Sequence, residues 1–118
     1  MLDDAWSTKP ATDLAAAIRA KEIKSRELLE LYLARIERLN GDINAVVTLS
    51  PDRAFAEADA ADARTVNGGA LPPLHGLPTT IKDAIETEGI RSTGGAVELR
   101  DHVPAADAPA VARLRATG

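Results

Sequence analysis

The sequence predicts an α/β fold in which a helical first half precedes a loop-rich second half. Apolar residues recur at helical spacing over most of residues 13–66. Two short runs, 43–49 and 79–85, are rich in β-branched residues and have strand character. Because two strands are too few to form a sheet that several helices can cover, we expect the chain to be the N-terminal part of a larger α/β domain.

Two amphipathic helices are predicted at the start of the chain. Thr12 is a suitable N-cap for a first helix over 13–22, and Ser25 is one for a longer helix over 26–40. The apolar face of the first helix is formed by Leu14, Ala15 and Ile18. Asn40 and Gly41 should end the second helix, since both residues tolerate the left-handed conformation.

The rest of the chain alternates between helix signals and loop chemistry. Ser50 and Pro51 have the pattern of an N-cap followed by a first helical residue, and they predict a third helix over 51–66. Asp107 is a suitable cap for a last helix. These signals divide the chain into a helical part (1–66), a glycine- and proline-rich loop (67–78), a strand and loop that carry Lys82 (79–106), and a helix (107–117).

Composition excludes several classes of function. The net charge of the 118 residues is −4, so nucleic acid and anionic membranes are not the expected partners. The chain has no cysteine and only two histidines, which argues against a metal site, a thiolate nucleophile and a disulfide framework. The acidic N-terminus is unlike a secretory signal. We therefore expect a cytoplasmic protein without metal or cofactor.

A lysine in the middle of the second β-prone run is the most informative residue. Gly76 and Pro78 precede Lys82, and Asp83 follows it directly. Lysine is rarely buried without a partner, so taken alone Lys82 would be a solvated surface residue. Asp83 is expected to form a structural hydrogen bond to the backbone. His75 is interpreted as a loop residue.

The residues around Lys82 carry a resemblance. The stretch "PLHGLPTTIKDAIETEGIRSTGGA", followed by "VPAADAPAVARLRATG", resembles the N-terminal part of amidase signature enzymes. That family shows Gly-x-Pro-x-x-x-Lys-Asp, a later glycine, a Thr- and Gly-containing loop, and Pro-x-x-Asp-Ala before a helix. The matching residues are Gly76, Pro78, Lys82, Asp83, Gly89, Thr93, Gly95, Pro104, Asp107, Ala108, Val111 and Leu114. The resemblance implies an α/β/α fold with a central mixed sheet covered by helices.

The resemblance also implies a chemistry for Lys82. Family members hydrolyse small-molecule amides with a serine nucleophile, a second serine in a cis peptide bond, and a lysine. Lys82 corresponds to that lysine, whose neutral amine accepts a proton, and burial favours the neutral form of an amine. The family serines lie in a Gly/Ser-rich segment, and none of the serines of this chain does: Ser7, Ser25, Ser50 and Ser92. We therefore expect this chain to be inactive alone.

Three interpretations remain open at this point. The chain is part of a general amidase, part of the A subunit of a tRNA-dependent amidotransferase, or a non-catalytic remnant or assembly module. The amidotransferase usually carries a cysteine in the loop that corresponds to "STGGA", residues 92–96, so the lack of cysteine favours the general amidase. A module without the nucleophile would self-associate through exposed apolar helix faces.

Overall fold

The computed structural model describes all 118 residues, and its regular structure consists of helices. The four α-helices are α1 (Ala11–Arg19), α2 (Ser25–Ile43), α3 (Pro51–Asn67) and α4 (Pro109–Arg115). Two 3₁₀ segments span Asp4–Thr8 and Val97–Leu99. None of these helices combines the length and the apolar character needed to cross a membrane. The fold therefore rests on helix packing and on the loops that connect α3 to α4.

A small aliphatic core holds the first half of the chain together. It is formed by Leu14, Ala17, Ile18, Ile23 and Leu28, with Leu2, Trp6, Leu31, Tyr32 and Leu77 packed against it. The apolar face predicted for the first helix is confirmed, since Leu14, Ala15 and Ile18 are all buried. Leu77 lies in the loop after α3, so the core also anchors the segment that leads to Lys82.

Helices α2 and α3 are joined at the start of α2 by an acidic side chain of α3. The Asp62 carboxylate accepts hydrogen bonds from the backbone amides of Ser25 at 2.7 Å and Arg26 at 3.2 Å. Arg26 also forms a salt bridge with Asp59 of α3 at 2.8 Å. A negative charge at a helix N-terminus is favourable because the free amides there carry partial positive charge. Asp62 thus gives these two free amides the hydrogen-bond acceptor that an N-cap side chain would otherwise provide.

The predicted caps at Thr12 and Ser25 are wrong. Helix α1 begins at Ala11 after Pro10, which places Thr12 inside the first turn. Helix α2 begins one residue early, at Ser25 itself, and the Glu27 carboxylate accepts from the backbone amide of Lys24 at 2.9 Å. The Ser25 hydroxyl is engaged elsewhere. A polar side chain at a helix start caps only when no tertiary partner competes for it.

The end of α2 also differs from the prediction. The helix continues through Gly41 and ends after Ile43, where Asn44 adopts a left-handed φ of 51°. The Asn40 side chain instead bonds both backbone groups of Val46, donating to its carbonyl and accepting from its amide at 2.9 Å each. The third helix begins as predicted, with Ser50 as N-cap and Pro51 as first residue. Asn40 therefore pins the segment after α2 against the helix.

The two predicted strands are not formed in this structure. The first predicted run, 43–49, begins with the last residue of α2, and its remaining residues do not pair with another strand. Ala45, Val47 and Leu49 are exposed, while the residues between them are half-buried. That alternation is typical of a strand. Residues 79–85 contain a turn, and the one β-bridge joins Thr87 to Ile90. A strand exists only through hydrogen bonds to a neighbouring strand, and these residues have none. No central mixed sheet is present in this chain.

Asp107, predicted as the cap of the last helix, has a different role. Helix α4 begins at Pro109 after Ala108. The Asp107 carboxylate accepts from the backbone amide of Glu88 at 2.8 Å and from Arg115 Nε at 2.7 Å. The hydrogen bond from Glu88, reinforced by Arg115, holds the pKa of the Asp107 carboxyl below its ordinary value. Asp107 therefore ties the loop after Lys82 to both ends of α4.

This arrangement predicts a pH-dependent contribution to stability. Because the folded-state pKa of Asp107 is lowered, its contribution is present above about pH 3.9, the ordinary value for aspartate, and is lost as pH falls through the folded-state value. Asp107→Asn should therefore destabilise the chain at pH 7 more than at about pH 2.5, measured by urea unfolding. Asp101→Asn, at a side chain 95% exposed, is the control. An equal cost of Asp107→Asn at both pH values would contradict the prediction.

Candidate functional site

The site is built around the turn that carries Lys82. The Ile85 amide donates to the Lys82 carbonyl at 2.8 Å, which closes the turn over residues 82–85. The Lys82 side chain is exposed to solvent. The backbone on either side of Lys82 therefore sets the position from which the lysine side chain extends.

The loop before Lys82 is anchored on the helices. The Ser25 hydroxyl donates to the Gly76 carbonyl at 2.6 Å. Gly76 has a φ of 74°, and a Cβ placed there would lie 3.2 Å from the Cβ of Ser25, so only glycine fits without strain. The buried His75 ring places Nε2 2.9 Å from the Thr65 hydroxyl and 3.1 Å from the Ala61 carbonyl. His75 is thus a packed loop residue that ties this loop to α3, in agreement with the sequence interpretation.

The residue after Lys82 is held by the loop at 92–96. The Asp83 carboxylate accepts from the Thr93 amide at 3.1 Å and from the Thr93 hydroxyl through a short hydrogen bond. These two hydrogen bonds, led by that of the hydroxyl, lower the pKa of the Asp83 carboxyl. The expected structural hydrogen bond of Asp83 to backbone is confirmed. The hydroxyl contact from Thr93 was not predicted, because nothing local to Asp83 in the sequence indicates a partner ten residues away.

Two glycines allow this loop to approach the Lys82 turn. The Gly94 amide donates to the Asp83 carbonyl at 3.1 Å, and the Gly95 amide donates to the Thr93 hydroxyl at 3.1 Å. Both glycines have positive φ, 58° for Gly94 and 76° for Gly95. The position of a Cβ added at Gly94 would lie 3.8 Å from Ala84, which shows how closely the two segments pass. The glycines of "STGGA" thus serve backbone conformation.

The remaining loop is fixed by backbone bonds at its base. The Ser92 amide donates to the His102 carbonyl at 3.1 Å, and the Gly89 amide donates to the carbonyl of the buried Pro104 at 2.9 Å. The buried Ser92 hydroxyl is positioned 3.3 Å from the Thr87 amide and donates to the Ile90 carbonyl at 3.0 Å. The Ser92 hydroxyl therefore has local backbone partners, which suits a structural residue.

Comparison with known proteins agrees with this arrangement. The amidase family model matches residues 27–118, a range that includes Lys82, Asp83 and Thr93. The chain belongs to the amidase signature family. The family resemblance predicted from the residues around Lys82 is thereby confirmed. The catalytic role of Lys82 stays a prediction, since a family match does not measure what a side chain does.

Curated relatives share this part of the family fold. The chain is 45% identical over 105 residues to the A subunit of glutamyl-tRNA(Gln) amidotransferase from Thiobacillus denitrificans, covering 89% of this chain and 21% of that protein. It is 42% identical over 110 residues to the corresponding protein of Chromohalobacter salexigens, covering 93% and 22%. The chain thus spans about a fifth of the length of the relatives it matches.

Solved structures give the same picture. A structure described as a vestigial protein complex that reveals the origins of an s-triazine catabolic enzyme matches with a TM-score of 0.88 and 36% identity, covering 93% of this chain and 24% of that one. A bacterial aryl acylamidase of the amidase signature family matches with a TM-score of 0.83 and 27% identity, covering 92% and 23%. The arrangement of helices and loops in this chain is therefore that of amidase signature proteins.

Proposed function

We propose that this chain supplies the lysine of a Ser–cis-Ser–Lys site that hydrolyses a linear carboxylic amide to an acid and ammonia or an amine. The observation that carries the proposal is the family match over residues 27–118, within which Lys82 occupies the Lys-Asp position of the family motif. Lys82 is the proton acceptor in this proposal. The two serines of the site belong to a Gly/Ser-rich segment, and none of the four serines of this chain lies in one, so a complete site needs residues beyond these 118.

The proposed mechanism follows from what a neutral amine can do. Lys82 in its neutral form takes a proton from the bridging serine, which takes one from the nucleophilic serine. The nucleophile attacks the amide carbonyl, and backbone amides stabilise the oxyanion that forms. The C–N bond then breaks, the leaving amine receives the proton back from the Lys82 ammonium through the bridging serine, and water attacks the acyl-enzyme to release the acid and restore the serine hydroxyl. The chain contributes the base and the loops that present it.

The finer fold prediction belongs to the same proposal. We expect residues 44–49, the part of the predicted strand 43–49 that follows α2, to pair as a strand of a central mixed sheet once partner strands are present. The alternate exposure of Ala45, Val47 and Leu49 supports this, because apolar side chains on one face of an extended segment are otherwise left in water. Ile85, Val97 and Val103 are further exposed apolar side chains in the half that carries Lys82.

A second candidate is the A subunit of a tRNA-dependent amidotransferase. The curated relatives at 41–45% identity carry that name, whereas the solved aryl acylamidase matches at 27% identity. The absence of cysteine from residues 92–96 favours the general amidase instead. Both candidates assign the same role to Lys82. An assay on glutamyl-tRNA(Gln) beside one on simple amides separates them, and sedimentation tests the non-catalytic, self-associating alternative.

The experiment that tests the proposal is a chimera. Residues 1–118 replace the matched 23% of the bacterial aryl acylamidase, and release of the aryl amine from an anilide is measured. We expect the chimera to hydrolyse the anilide, and we expect residues 1–118 alone and the acylamidase without its matched part to be inactive. A folded but inactive chimera, or Lys82-dependent turnover by residues 1–118 alone, would overturn the proposal.

A further inference from the structure

We propose that Asp83 and Thr93 form a clamp that positions Lys82 for proton transfer. The clamp consists of the Asp83 carboxylate bound to the amide and hydroxyl of Thr93, and of the Asp83 carbonyl bound to the Gly94 amide. Asp83 and Thr93 are positioning residues in this proposal, since neither is the base. The inference rests on the proposed function of Lys82 for its catalytic consequence, but the clamp itself is tested separately.

Asp83, the residue directly after Lys82, is held at both its side chain and its carbonyl. The Lys82 side chain is exposed, and the backbone at residues 82 and 83 fixes the position and direction of the Cα–Cβ bond from which that side chain extends. Both the side chain and the carbonyl of Asp83 are bonded to the 92–96 loop, which fixes the peptide group directly after the lysine. Proton transfer requires heavy atoms within hydrogen-bond distance, so a loosened backbone here would displace the amine from its partner.

The 92–96 loop, to which Asp83 is bonded, is itself anchored by further hydrogen bonds. Thr93 lies between Ser92, whose amide donates to the His102 carbonyl at 3.1 Å, and Gly95, whose amide donates to the Thr93 hydroxyl at 3.1 Å. Ser92 is buried, and so is Pro104, which holds the neighbouring Gly89 amide. A clamp restrains a residue only if its other end is anchored, and this loop meets that condition.

Thr93 also bears on the charge next to Lys82, because it bonds the Asp83 carboxylate. A carboxylate that pairs with an amine favours the charged ammonium, which cannot accept a proton. The Asp83 carboxylate instead accepts from Thr93, through hydrogen bonds that an ionised acceptor strengthens. Thr93 thereby forms hydrogen bonds to the carboxylate next to Lys82.

Two substitutions at Thr93 separate side-chain shape from hydrogen bonding. Valine has the shape of threonine without the hydroxyl, while serine keeps the hydroxyl.

The clamp is tested first on residues 1–118 by amide hydrogen exchange and backbone chemical shifts. We expect Thr93→Val to speed exchange of the Gly94 amide, which donates to the Asp83 carbonyl, about tenfold, the loss of one hydrogen bond of roughly 1.4 kcal/mol. The same variant should shift the Lys82 amide resonance, and Thr93→Ser should match the unsubstituted chain. Thr12→Val, at an exposed threonine of α1, is the control and should change neither. Unchanged exchange and Lys82 shift in Thr93→Val would overturn the clamp.

The catalytic consequence is tested in the chimera. Thr93→Val should lower kcat by about ten- to a hundredfold with an unchanged KM, the size expected for a misplaced group, and Thr93→Ser should restore kcat. A normal kcat in Thr93→Val beside an inactive Lys82→Met overturns the positioning role but leaves the proposed function standing. Activity in Lys82→Met overturns the proposed function, while hydrogen exchange still decides the clamp. If Thr93→Val fails to fold, Asp83→Asn replaces it in both measurements with the same expected direction.

Discussion

Lys82→Met in the chimera should lower kcat for anilide hydrolysis by roughly 10² to 10⁴-fold, the range over which a positioned general base contributes. Methionine is unbranched and flexible like lysine and one atom shorter, and it has no basic atom that can accept the serine proton. The loss is therefore expected in kcat, since the amine is not required to bind the substrate in the proposed mechanism. The measurement is steady-state kinetics of aryl amine release.

The control for this prediction is the same substitution at another lysine. Lys21→Met removes an exposed ammonium group from the turn after α1, outside the loops that present Lys82. It should leave kcat and KM unchanged. Full activity in both variants would mean that Lys82 is an ordinary surface lysine. Equal loss in both would point to net charge or folding as the cause.

Leu28→Ala should lower the free energy of unfolding of the chain by about 3 to 5 kcal/mol. Leu28 is completely buried at the centre of the core, where α1, α2 and the residues before them meet. Removing its side chain forfeits the burial of that apolar surface and leaves a cavity that the neighbouring side chains cannot fill without moving. A loss of that size is a large share of the total stability of a small domain, about 5 to 15 kcal/mol.

A leucine in the same helix provides the comparison. Leu39→Ala changes a side chain that is 38% exposed, and it should cost only about 1 to 2 kcal/mol, because part of the leucine is already in water and solvent can fill the space it leaves. Urea unfolding followed by circular dichroism gives both values. Equal costs at Leu28 and Leu39 would show that this aliphatic core does not hold the fold.

Much of the helical half follows from local sequence. The spacing of Leu14, Ala15 and Ile18 predicted a buried face, and Ser50-Pro51 predicted the start of α3, because both signals depend on residues within one or two turns. The motif around Lys82 predicted the family. A motif of this kind can be recognised from the sequence alone, since it depends on residue types at fixed spacing.

Most of the errors share one physical cause, which is competition from distant partners. Ser25 and Asp107 have the chemistry of helix caps, but they bond to Gly76, Glu88 and Arg115 instead. Asn40 is a residue type that often ends helices, but here its side-chain amide forms hydrogen bonds with the backbone of Val46. The predicted strands failed because pairing is a property of two segments, and these segments lack partners within the chain.

The sequence by itself therefore determined the family, the main helices and the identity of the candidate base, since each depends on residue type at short spacing. Only the tertiary structure decided that Asp62 caps α2, that Gly76 packs on Ser25, and that Thr93 holds Asp83 beside Lys82. These contacts join residues ten or more positions apart. Polar side chains bond to whichever partner the packed chain brings within reach, and that partner is chosen by the fold as a whole.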